Sequence, residues 1–189
     1  GYRLVGSEMC IRDRYMVKSG LVDDPNVSQY RLTAHLGMAV FIYSLILWTV
    51  FDLSLNYNHA IRSRIKWMSS TLTLLIFLMI LSGGLVAGTR AGIPFPTWPL
   101  MGDTFIPPQI YSMNPSWLSA FEDMATIQFN HRMFAYLLTI FIVIFAIVLL
   151  GSNVPRFLKN GTTVLLFVLS LQVVLGISTL LFYIPIPVA

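Results

Sequence analysis

Cysteine is almost absent from this sequence: Cys10 is the only one in 189 residues, which excludes an intrachain disulfide, a thiolate metal cluster and paired-thiol redox chemistry. Charge is scarce as well. Asp, Glu, Lys and Arg make up 11% of the chain against 56% hydrophobic residues, too little polar surface to cover a water-soluble domain of this size. Gly-rich phosphate loops, nucleophile triads, metalloprotease motifs and carboxylate pairs within an apolar run are all missing, which argues against hydrolases and nucleotide-driven enzymes. With a mean hydropathy of +0.75, the solvent implied is the lipid bilayer. The formal charge of +4 would suggest nucleic acid in a soluble protein. Here the basic residues sit in short segments beside apolar runs and read as topology signals, so no nucleic-acid partner is expected.

What is present are four segments with the roughly 20 apolar residues a helix needs to cross the hydrocarbon core. They run from about Leu32 to Leu53, Trp67 to Gly88, Phe129 to Leu150 and Thr162 to Tyr183, which predicts an all-α integral membrane fold. The links differ in charge. Asn56 to Lys66 carries Arg62, Arg64 and Lys66, and Gly151 to Gly161 carries Arg156 and Lys159, both without an acid. These belong on the cytoplasmic or matrix side. The long link from Thr89 to Gln128 has Arg90 as its only base and carries Asp103, Glu122 and Asp123, which fits the opposite face. Its prolines and aromatics, among them Pro94, Phe95, Trp98, Pro99, Tyr111 and Trp117, suit a loop at headgroup level, either as an interfacial anchor or as the cap of a pocket.

Two histidines fall inside spans near that face. His35 lies one turn into the first, four residues after Arg31, so the two share a helical face about 6 Å apart along the axis. His131 lies at the start of the third, followed by Arg132 and preceded by Gln128 and Asn130. A neutral imidazole offers a lone pair to a metal and an arginine can pair with a carboxylate; haem presents both an iron and two propionates. Zinc or copper would want more His, Cys or acid ligands close together. The competing reading makes each an interfacial histidine bonded to a neighbouring helix, with snorkelling arginines. His59, in a basic loop, reads as solvated. Ser82, Gly83, Gly84 and Gly88 allow close approach of another helix or of a flat ring, and Gln172, Gly176, Ser178 and Thr179 are expected to face the bundle rather than lipid.

Three stretches, Met16 to Ala39 (MVKSGLVDDPNVSQYRLTAHLGMA), Ser82 to Pro107 (SGGLVAGTRAGIPFPTWPLMGDTFIP) and Phe129 to Tyr136 (FNHRMFAY), resemble the haem A synthase family of the bacterial and mitochondrial inner membrane, in the subgroup shared by mitochondria and alpha-type bacteria. The resemblance implies an eight-helix protein of two four-helix halves, each holding one haem site with histidines from its second and fourth helices. On that pattern residues 15–53 are the outer segment and last helix of the N-terminal half, 54–66 a cytoplasmic or matrix linker, and 67–189 the C-terminal half without its last helix. Residues 1–14, Cys10 included, are unlike the rest and are expected to be a non-native tail, and both ends are expected to be interior to a longer protein.

The resemblance further implies that His35 is an iron ligand at the site of the substrate haem O, and that His131 ligates a resident haem B. Arg31, Arg90 and Arg132 become candidates for positioning propionates or the loop, and Thr97 to Gly102 for part of a site's outer wall. The family's essential glutamate would precede this sequence and a further histidine ligand would follow it, so catalysis by these residues alone is not expected. The implied reaction is oxidation of the C8 methyl of haem O to the formyl of haem A, with oxygen from water and electrons leaving through the second haem. Implied partners are haem O synthase, cytochrome c oxidase assembly factors and an electron acceptor. Two other functions fit parts of the pattern: a b-type electron-transfer cytochrome and a membrane transporter, whose proton-coupled version is disfavoured by the lack of acids in the interior of any span.

Overall fold

The computed structural model describes residues 28–54 and 62–182. Cys10 with the rest of the N-terminal tail, His59, and the last residues from Tyr183 onward lie outside them. Four long helices carry the architecture: α1 (Gln29–Ser54), α2 (Ser63–Thr89), α4 (Met124–Leu150) and α5 (Arg156–Leu181), with a short α3 (Ser119–Glu122) after a 3-10 turn at Ser116–Leu118. All four long helices are long and apolar enough to cross a membrane, and the protein is a multi-pass membrane protein. Among the described residues there is no β-strand, only an isolated bridge between Met101 and Thr104.

Apolar medium offers backbone groups no partners, so helices that satisfy them internally are the stable form of these runs. Side-chain hydroxyls follow the same rule. Ser44, Thr49, Thr73, Thr89, Thr139, Thr162 and Ser170 each donate to the carbonyl four residues earlier in their own helix, at 2.7–3.0 Å.

Observed helix starts precede the expected ones by three to six residues, five at α4 and six at α5, and α5 ends at Leu181 rather than Tyr183. Helix α4 begins at Met124, capped by Asp123, whose carboxylate accepts from Thr126 N at 2.9 Å and from Thr126 Oγ1 at 2.5 Å. His131 therefore lies about two turns inside the helix rather than at its edge.

The helices pack in series, α1 on α2, α2 on α4 and α4 on α5. One end of the array bears the connections with Arg62, Arg64, Arg156 and Lys159 (the basic end), and the other the 90–123 connection (the loop end). The apolar core sits toward the basic end, built from Ile65 and Leu72 of α2 and Leu138, Ile142, Phe145 and Leu149 of α4, with Leu158, Leu165, Leu166 and Leu169 of α5 against it. At the loop end, glycines bring α1 onto α2. A Cβ on Gly88 would stand 2.7 Å from the Gln29 Cα, and one on Gly84 3.0 Å from Thr33 Oγ1 and 3.2 Å from its Cα. Gly84 and Gly88, four apart, form a small-residue stripe of the kind that lets two membrane helices touch along their backbones.

Candidate functional site

The core stripe of α4 continues at helical spacing from Leu149 through Phe145, Ile142 and Leu138 to Ala135 and His131. Along it the packing changes character. The residues up to Leu138 are buried against α2 and α5, whereas Ala135 and His131 are half-buried. The facing stripe of α2 changes likewise, from Ile65, Leu72 and Met79 to Ser82 and Gly83. On α5 the stripe of Leu158, Leu165 and Leu169 runs on to Gln172, Gly176 and Thr179, all exposed, and a Cβ on Gly176 would meet nothing within 4 Å. Gln172, Gly176, Ser178 and Thr179 were expected to face the bundle rather than lipid; the first, second and fourth continue its packed face but are exposed, and Ser178 is half-buried. Since α4 ends at Leu150 and α5 starts at Arg156, a rise of about 1.5 Å per residue brings Gly176 roughly level with His131. Small and polar residues thus replace the core's large ones around one imidazole.

That imidazole is held firmly. His131 Nδ1 and Ser82 Oγ are hydrogen-bonded at 2.9 Å, and a Cβ on Gly83 would lie 3.7 Å from His131 Cε1, so the ring edge passes close to the α2 backbone. The other nitrogen, Nε2, has no hydrogen-bond partner among the described residues.

The polar residues flanking His131 all grip the long connection. Gln128 Nε2 donates to Phe95 O at 3.0 Å, and the Tyr111 hydroxyl donates to Asn130 Oδ1 at 2.9 Å. Arg132 donates to Phe95 O at 3.0 Å and to Leu100 O at 3.2 Å. Arg132 is only 9% exposed and Gln128 3%, and Gln128 Oε1 is buried without a partner among the described residues. Of the two roles expected for Arg132, positioning propionates or the loop, its contacts are those of the second. The segment it holds is a tight turn: Thr97 Oγ1 donates to Leu100 O at 2.9 Å and accepts from Gly102 N at 2.8 Å, with Gly102 at φ +71.

His35 contrasts with this. Thr33 and Gly37 of α1 face α2, and at 3.6 residues per turn His35, midway between them in sequence, points to the other side. It is half-buried and makes no hydrogen bond with a described residue; Arg31 shares its face and is also half-buried. Both histidines lie at the loop end, as expected, but the structure does not bring them together, because α2 stands between α1 and α4.

Arg90 ends α2 in the left-handed conformation at φ 55, where Ala91 N bonds back to Val86 O at 3.0 Å. Glycine usually occupies that place, and another residue there stores strain. Its exposed guanidinium has no partner among the described residues and opens onto a cleft of about 460 Å³ shared with Gln29, Gly88 and Glu122. Neither histidine lines that cleft. Glu122, read from the sequence only as a topology marker, accepts from Gln29 Nε2 at 3.3 Å and from the Tyr30 hydroxyl, tying the start of α1 to the segment that leads into α4. Ser82 and Glu122 are the contact residues that sequence reading undervalued. Nowhere among the described residues do three or more His, Cys, Asp or Glu gather as ligands for a bare ion.

A half-buried imidazole, with Nδ1 bonded to Ser82 and Nε2 without a partner among the described residues, stands in a bundle of four helices long and apolar enough to cross a membrane; the class is a multi-pass membrane protein. The chain belongs to the cytochrome oxidase assembly protein family, which it matches over residues 14–189. It is 45% identical over 185 residues to the heme A synthase of Nitrosospira multiformis, covering 93% of this chain and 50% of that protein. To the heme A synthase COX15 of Bos taurus it is 37% identical over 185 residues, 93% of this chain and 45% of that one. The heme A synthase of Wolbachia pipientis wMel is 35% identical over 193 residues, 98% and 52% of the two chains. The chain spans about half the length of these curated relatives. No solved structure matches it.

Proposed function

We propose that these residues form the fourth to seventh helices of an eight-helix haem A synthase, in a bacterial or mitochondrial inner membrane, with His131 a ligand that would hold haem B and His35 a ligand that would hold the substrate haem O. The observation that carries the reading is the change along the α2, α4 and α5 stripes. Large apolar residues give way to Ser82, Gly83, Ala135 and Gly176 where His131 presents an unpartnered Nε2. A flat macrocycle needs that combination of one nitrogen donor and room bounded by small side chains. The relatives' names and doubled length support the rest.

In the whole protein the C8 methyl of haem O would be oxidised to the formyl of haem A, with oxygen from water and electrons passed to an acceptor. Haem bound at His131 would supply one-electron redox capacity there. The work of this chain's own residues is positional. Ser82 and Gly83 hold the imidazole plane; Gln128, Asn130 and Arg132 fix the loop over the first turns of α4; Arg90 offers a free guanidinium to a carboxylate at the loop end. His35 points to the face of α1 opposite α2, where the N-terminal half of the relatives' length would close the substrate site. Haem O synthase would deliver the substrate and cytochrome c oxidase assembly factors would receive the product.

The test is a pyridine haemochrome and reduced-minus-oxidised spectrum of the full-length protein supplied with haem O, comparing wild type with His131→Ala and His35→Ala. Low-spin haem B lost only with His131→Ala, and haem A formation lost in both, is the expected pattern. Haem bound without any haem A formed would turn the reading to a b-type cytochrome, and haem content unchanged in His131→Ala would overturn the ligand assignment.

A further inference from the structure

We infer that Ser82 sets the tautomer and azimuth of His131, acting as a positioning residue that keeps the proton on Nδ1 and leaves the Nε2 lone pair to the iron; this rests on the proposal that His131 is an iron ligand. Three observations carry it. The 2.9 Å bond joins Ser82 Oγ to Nδ1 and to no other atom of the ring. Seven other helix hydroxyls turn back to their own helix, whereas Ser82 reaches across from α2 to α4, so its side chain is committed to the imidazole. Gly83, next to it, leaves the ring edge room to lie beside the α2 backbone, 3.7 Å from where a Cβ would be.

The direction of the bond follows from chemistry. Neutral imidazole carries one N–H, and a hydroxyl can serve either nitrogen type as donor or acceptor. If Ser82 donated, the imidazole proton would sit on Nε2 and block the only nitrogen without a partner. With Nδ1–H donating to Ser82 Oγ, the Nε2 lone pair is left to the iron. An acceptor on the distal N–H also raises the basicity of the ligating nitrogen and fixes the ring plane.

Full-length holoprotein carrying Ser82→Ala, Ser82→Thr or Thr73→Ala tests this, read by haem retention, the low-spin EPR signal and the midpoint potential of the His131 haem. Ser82→Ala is expected to weaken haem retention about tenfold, broaden and shift the EPR signal as ring orientations multiply, and raise the midpoint potential because a less basic imidazole stabilises ferric iron less. Ser82→Thr keeps the hydroxyl and restores all three; Thr73→Ala, which removes an exposed α2 hydroxyl bonded to its own helix, leaves them unchanged. An EPR signal and potential in Ser82→Ala identical to wild type would overturn the inference while leaving the ligand assignment intact, provided His131→Ala loses the haem. If His131→Ala keeps the haem signal, the ligand assignment itself falls, and with it the role of Ser82. A Ser82→Ala protein that fails to accumulate while Ser82→Thr and Thr73→Ala are normal places the hydroxyl's role in folding and likewise overturns it.

Discussion

His131 and His35 occupy matching places, each about two turns into a helix that starts at the loop end, yet their surroundings differ in kind. Around His131, Ser82 holds the ring and Gln128, Asn130 and Arg132 bind the overlying connection. Around His35, α1 gives its inner face to Gly84 and Gly88 and turns the imidazole outward, with no hydrogen bond to a described residue. The difference teaches how a membrane site is built. An imidazole becomes a defined ligand only when neighbours on another helix specify its tautomer and rotamer, and on α1 the side facing α2 is used up by packing.

The comparison can be broken most severely at Arg132. Replacing it with Met leaves the Leu100 carbonyl without its donor and the Phe95 carbonyl with Gln128 alone, and removes a buried cation's contacts, with an expected loss of about 3 kcal/mol. Thermal unfolding in detergent, followed by haem absorbance, would show the His131 site melting early, and limited proteolysis would cut the connection near residues 95–100; unchanged proteolysis would show that the loop is held by something else. Arg132→Lys keeps charge but not the forked geometry and should lie between.

Next in size is Gly88→Ala, whose methyl would meet Gln29 backbone at 2.7 Å. Helix α1 must shift, at about 2 kcal/mol. The expected consequence is selective: haem O turnover, which the proposed site at His35 serves, declines while the His131 haem spectrum stays normal. Equal damage at both would mean the two sites are not separable by α2. A smaller effect, about 1 kcal/mol, is expected from Glu122→Ala, which removes the acceptor for Tyr30 and Gln29. Hydrogen exchange should rise at the start of α1 and not in α4. At the bottom of the scale, Gly161→Ala adds a methyl that meets nothing within 4 Å and should leave stability unchanged or raise it by up to ~1 kcal/mol.

The four spans were legible because an apolar run of membrane length has few alternatives to a helix, and the basic links and the loop-end position of both histidines followed from them. The start of α4 was placed five residues late, since Thr126 and Gln128 look like loop polarity until Asp123 is recognised as a cap and Phe95 as the partner of Gln128. That local signal, an aspartate three residues before a threonine, was available. Ser82 was not readable in the same way. Its value depends on the register of α2 against α4, a fact of tertiary packing that no local pattern encodes, and a serine amid glycines reads first as a small residue. Arg132 was expected to position propionates or the loop, but which of the two was not readable, because the carbonyls it serves lie more than thirty residues away. The small residues of α2 resolve into two uses rather than one, Gly84 and Gly88 for a helix and Gly83 for a ring edge.

Arg132 also determines how the loop end can move. Its guanidinium sits two turns inside α4 with the backbone carbonyls of Phe95 and Leu100 as its acceptors, so swinging the connection away would strip a buried cation of both. The connection and the first turns of α4 are therefore riveted into one piece. A label attached to the turn at residues 97–102 would act as a pointer on the instrument's dial, registering any tilt of the helix that carries His131.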